Sequence, residues 1–77
     1  MLYGLVEIII STGWHETYMH RWIVGRKLEA MQARVEKAVA NWWENPDEFT
    51  PELIAGDIRL VSKEEFVVLS KYLNGIE

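Results

Sequence analysis

Few residues in this 77-residue chain are of types that could do chemistry, and their spacing argues against each chemistry in turn. His15-Glu16 followed by His20 comes nearest to a metal site. A zinc-binding helix needs two histidines four apart, so that both project from one face. Here they are five apart, about 140° around a helix. On a hairpin instead, His20 is expected to point inward and His15 to lie in the loop. The chain has no cysteine to complete such a site. Glu44, Asp47, Glu48 and Glu52 could suggest calcium, but the alternating ligand loop with a central glycine and a terminal glutamate is missing. No serine or threonine stands in a nucleophile elbow, and no glycine-rich loop could cradle a phosphate. Gly13 and Gly25 are isolated turn residues. A chain this short has little volume left for a substrate pocket once its core is filled. The expectation is a protein with no metal, no cofactor and no catalytic residues, hence not an enzyme.

The elements that must position any other kind of site are easier to read. Leu28, Met31, Val35, Ala38, Val39 and Trp42 recur at helical spacing on one face, opposite Arg26, Ala30, Arg34, Lys37 and Asn41. This predicts a core-facing helix from just after Gly25 to Trp43, stopped by Asn45-Pro46. Before it, Tyr3 to Ser11 and Thr17 to Val24 are rich in β-branched and aromatic residues and predict a hairpin with its loop near Trp14. A register in which paired residue numbers sum to 28 sets Glu7 opposite Arg21, a favourable cross-strand charge pair. It also places Val6, Ile8 and Ile10 with Trp22, His20 and Tyr18 on one face, and Leu5 and Ile9 with Ile23 and Met19 on the other.

Residues 44–57 form an acidic connection. Within it Thr50-Pro51-Glu52 resembles a cap with a first-turn proline, predicting one helical turn over 51–55. Asp57 to Val61 predicts a third strand. Ser62-Lys63-Glu64-Glu65 is a capping box that opens a second helix, closed by Asn74-Gly75. The expected fold is a single α+β domain over residues 1–77, ordered ββαβα. Its three-stranded sheet has the order 2-1-3, with both helices covering the Val6/Ile8/Ile10 face.

Composition narrows the function classes. Four tryptophans, three tyrosines and two phenylalanines are a heavy aromatic load for a chain without disulfides, whose stability must come from packing. Residues 1–37 carry five basic and four acidic side chains, and residues 38–77 three basic and eight acidic, so the net charge of −4 lies in the second half. That balance opposes non-specific binding to nucleic acid and suits a basic partner. No apolar run approaches the length of a membrane span, and residues 1–13 lack the basic start and cleavage site of a signal peptide. A cytoplasmic protein with no membrane contact is expected.

Two surfaces are candidates for partner binding. One is the outer sheet face, where Leu5, Ile9, Met19 and Ile23 would form an apolar patch too large to be left bare. The other combines Trp14 and Trp43 as anchors, because tryptophan is enriched at binding hot spots, with Glu44, Asp47, Glu48 and Glu52 as a charged rim. In size, acidity and lack of catalytic residues the chain resembles the small inhibitors that bacteriophages and mobile elements encode, anti-CRISPR proteins among them. The resemblance is one of type and covers no alignable stretch. It implies a protein-binding inhibitor or regulator that occludes a protein or protein–nucleic acid complex. The alternatives are a homodimeric structural subunit joined through the outer sheet face and, ranked lower, a single-stranded nucleic-acid binder using Arg21, Arg26, Lys27 and Arg34.

Overall fold

The computed structural model describes residues 1–76. Among them the order is β1 (Leu2–Ser11), β2 (Glu16–Gly25), α1 (Leu28–Ala40), β3 (Glu52–Val61) and α2 (Lys63–Tyr72). The three strands form one antiparallel sheet in the order β2-β1-β3, the α+β arrangement that the residue pattern predicts. No helix among the described residues is long and apolar enough to cross a membrane.

The hairpin register differs from the predicted one by a single residue. Paired numbers sum to 27, with Val6 opposite Arg21, Ile8 opposite Met19 and Glu7 opposite His20. The turn sets this. Thr12 N–H donates to the His15 carbonyl at 3.2 Å, leaving Gly13 and Trp14 as the two central residues. Gly13 has φ +86°, a positive value that a glycine in the first central position of a tight hairpin adopts without strain. A one-residue slip turns every side chain of one strand to the other face. Met19, Arg21 and Ile23 therefore lie on the face of Val6 and Ile8, while Tyr18, His20 and Trp22 join Leu5, Glu7 and Ile9 on the opposite one. The expected Leu5/Ile9/Met19/Ile23 patch is split between the two faces. The Glu7–Arg21 pair is replaced by Glu7 and His20, whose carboxylate oxygen and Nε2 are 3.3 Å apart. His20 thus points outward rather than in.

The helical turn expected over 51–55 is absent, and residues 52–55 belong to β3 instead. Asp47 and Thr50 spend their side chains on a turn instead of a helix cap. Thr50 Oγ1 accepts from Asp47 N–H at 2.9 Å and donates to Asp47 Oδ1 at 3.1 Å. A bulge opposite Glu7 then resets the alternation in β3, so that Leu53, Ala55 and Ile58 all face α1. Gly56 is required there, because a β-carbon would sit 2.7 Å from the Glu7 carbonyl oxygen.

Helix α1 packs its stripe against this inner face. Met31 and Val35 are fully buried beside Val6, Ile8 and Ile23, with Ala38, Val39 and Trp42 half-buried around them. The helix stops at Ala40, short of the expected Trp43, and Asn41 closes it with both its N–H and its side-chain amide donating to the Lys37 carbonyl. Leu28, in the first turn, stays 43% exposed. Arg34, assigned to the solvent side by the pattern, is half-buried and donates to the carbonyls of Val24 (2.6 Å) and Ile76 (3.3 Å).

Helix α2 does not share that face. Ser62 caps it as predicted, accepting from Glu65 N–H at 3.1 Å. Its Phe66 then meets Tyr3 and Trp22, at ring-centroid distances of 4.7 and 5.3 Å, on the outer face. With β2 flipped, Trp22 lies outside the inner core and needs this cover. The helix ends at Tyr72 rather than at Asn74-Gly75. Residues 74–76 instead run alongside β2, with Trp22 N–H donating to the Asn74 carbonyl and Ile76 N–H to the Trp22 carbonyl. The Trp22 indole N–H donates to the Leu73 carbonyl at 2.8 Å. Ile76, 5% exposed, enters the inner core from this edge.

Candidate interaction surface

The hairpin tip and the acidic connection meet at one groove. It has a volume of about 530 Å³, and Ser11, Thr12, Gly13 and Trp14 face Glu48, Phe49, Thr50 and Glu52 across it. The register explains the meeting, because Ser11 pairs with both Glu16 and Glu52 at the end of the sheet. Trp14 is 92% exposed, held out by the Gly13 turn. Phe49 is 85% exposed, and the Asp47–Thr50 turn fixes it through a bond from its own N–H to Asp47 Oδ1 at 2.8 Å. Burying either ring would remove ~150–250 Å² from water. Two such rings left outside by hydrogen-bonded turns, with Glu48 and Glu52 lining the same groove, make a surface suited to a partner carrying apolar and cationic groups.

The residues predicted for this surface have unequal roles. Glu44, Glu48 and Glu52 are exposed. Asp47 is committed to the turn through its carboxylate. Trp43 is tied back, its indole N–H donating to the Pro51 carbonyl at 3.1 Å while the residue stays 41% exposed. It braces the connection, and Trp14 is the free one. Phe49 was not among the predicted residues. Its signal was available in the sequence, as a single aromatic set among the acidic and turn-forming residues 47–51.

The outer sheet face is a second, smaller candidate. A ten-residue strand spans ~33 Å and a ten-residue helix ~15 Å, so α2 cannot cover all of it. Tyr18, Ile9 and Ile54 form a row across the three strands, with Tyr18 57% and Ile54 42% exposed. Beside it Leu5, Glu7, His20, Asp57 and Arg59 line a shallow cavity of about 260 Å³. Of the predicted patch only Leu5 and Ile9 remain here, half-buried; Ile23 is fully buried under α1 and Met19 packs against the same core.

The basic residues are not assembled into one surface. Arg21 lies over the Trp42 ring, 5.6 Å from its centroid, and Arg34 is held by two carbonyls. Arg26 and Lys27 stand exposed between β2 and α1. No group of three or more His, Cys, Asp or Glu side chains among the described residues is placed to hold a metal ion. The chain matches no family model, no curated protein and no solved structure.

Proposed function

We propose that this chain is a small acidic protein-binding module that inhibits or regulates a cytoplasmic protein or protein–nucleic acid complex by occluding a basic surface on it. The observation that carries this reading is the pair Trp14 and Phe49, both more than four-fifths exposed, facing one groove with Glu48 and Glu52. Exposed aromatics on tight turns lose little conformational freedom on binding, so most of the apolar area they bury counts toward affinity. The surrounding carboxylates would steer a basic partner and reject acidic ones. Direct binding of nucleic acid is a weaker reading, because Arg21 and Arg34 are engaged within the fold.

The test compares the wild type with a Trp14→Ala/Phe49→Ala variant, each used as bait in lysate of the native host with mass-spectrometric readout. Both side chains stand in solvent, so the variant should keep the wild-type circular dichroism and melting temperature. A partner retained by the wild type and lost by the variant supports the reading. A partner retained equally by both would move the binding surface elsewhere.

A further inference from the structure

We infer that the chain pairs with a second copy of itself through the outward side of α2, in an antiparallel two-fold arrangement. The first ground is surface area. A monomeric protein of 9.0 kDa is expected to expose ~4,900 Å², and this chain exposes 5776 Å². The excess of roughly 900 Å² belongs to the whole chain, with the hairpin end and α2 both contributing, and shows a fold that leaves open more surface than a compact monomer of its mass. The Cα radius of gyration agrees: 13.1 Å, against about 11.5 Å for a compact domain of this length.

The second ground is the pattern on α2. Phe66 faces the sheet, yet the other side of the helix is also apolar, with Val67 46%, Val68 54% and Tyr72 80% exposed. No residue of α2 is fully buried. Glu64, Val67, Val68 and Lys71 occupy positions i, i+3, i+4 and i+7, one stripe of the helix, and all four are exposed. The stripe complements itself when reversed. A two-fold axis between Val67 and Val68 sets Glu64 of each copy against Lys71 of the other and packs the valines at the centre. A parallel arrangement would oppose like charges instead. Isologous interfaces require this kind of self-complementarity. Glu64 and Lys71 lie two turns apart and make no ion pair with other described residues. The surface is separate from the Trp14/Phe49 groove, so the inference stands whether or not that groove binds a partner.

Sedimentation equilibrium over a micromolar-to-millimolar series tests it. The wild type should approach twice its 9.0 kDa chain mass. Val68→Glu should sediment as a monomer with unchanged circular dichroism, since Val68 is more than half exposed in the single chain and a glutamate there can reach water. Glu64→Lys and Lys71→Glu should each weaken the dimer roughly tenfold or more by placing like charges together. The combined Glu64→Lys/Lys71→Glu variant should restore it, although it carries both unfavourable charges at the helix ends. A wild type that stays monomeric throughout overturns the inference. So does a dimer that is indifferent to Val68→Glu and to the charge reversals.

Discussion

Replacing Gly75 by alanine tests how the C-terminal segment is held. A β-carbon there would lie 2.5–2.6 Å from three carbons of the Trp22 six-membered ring, so the ring or the segment must move. Overpacking of this kind costs about 1–3 kcal/mol when the surroundings absorb it. Release of residues 74–76 sets a ceiling on the strain. It would give up two backbone hydrogen bonds to Trp22, worth about 1 kcal/mol each, and the Arg34 bond to the Ile76 carbonyl, worth about 1.5–3 kcal/mol because its donor is charged. It would also expose Ile76, which is 5% exposed in the fold, at about 1.5–3 kcal/mol. Recovered chain entropy, about 1–2 kcal/mol per residue freed, offsets much of that loss. The expected destabilisation is therefore about 2 kcal/mol, a fall in Tm of about 8–16 °C for a domain of this size. Thermal and urea unfolding should be measured in wild-type and Trp22→Phe backgrounds, because phenylalanine lacks the ring atoms in the clash. In the Trp22→Phe background Gly75→Ala should be close to neutral, since alanine also stiffens the unfolded chain by about 0.4–1 kcal/mol. An equal penalty in both backgrounds would refute the ring-contact argument.

Val35→Asp should prevent stable folding, because Val35 is fully buried and an unpaired charge there costs more than about 4 kcal/mol. Lys37→Asp, on the exposed side of α1, should cost under about 1 kcal/mol, chiefly through the helix dipole; chemical denaturation compares the two. Arg34→Ala should cost about 1–3 kcal/mol by orphaning the Val24 and Ile76 carbonyls. Arg34→Lys should recover only part of this, because one ammonium does not reproduce the guanidinium fork, and amide exchange at Ile76 should report the loosening. With a partner in hand, neutralising Glu44, Glu48 and Glu52 to Gln should slow association about tenfold at low salt and flatten its salt dependence. Asp47 is left unchanged in that variant because its carboxylate holds the turn.

The element order, the strand order and the α1 stripe were legible in the sequence because each rests on periodicity, and periodicity survives small local errors. The hairpin register is not, because a register one residue away also makes a favourable cross-strand pair, Glu7–Arg21. Surface charge pairs contribute a few tenths of a kcal/mol to roughly 1, whereas Gly13 in the first central position determines which residues can close a two-residue loop. The Gly-Trp turn was the better signal. The misreading of 51–55 has a related origin. Thr50-Pro51 fits a helix start in isolation, but Leu53, Ala55 and Ile58 match the inner face once a bulge at Gly56 is allowed. On the candidate surface, the exposure of Trp14, Glu44, Glu48 and Glu52 agrees with the residue pattern, while Asp47 and Trp43 serve the loop's own structure.

The register also accounts for how this small chain distributes its apolar surface. Turning Ile23 and Met19 inward completes a core for α1, and the same flip puts Trp22 on the far side of the sheet, where α2 must cover it. A chain of this length cannot fill two layers, one on each face, and bury both well. The inner layer takes the fully buried residues Val6, Ile8, Ile23, Met31 and Val35, whereas α2 buries none completely. Apolar side chains are thus left outside at the hairpin end and on the back of α2, as well as at Tyr18 and Ile54 on the outer sheet face. The first two are also the places where the charge pattern fits a second molecule, with carboxylates around the aromatics at one and a self-complementary Glu64–Lys71 stripe at the other. The two contacts proposed above both use surface that this way of covering the sheet leaves unburied.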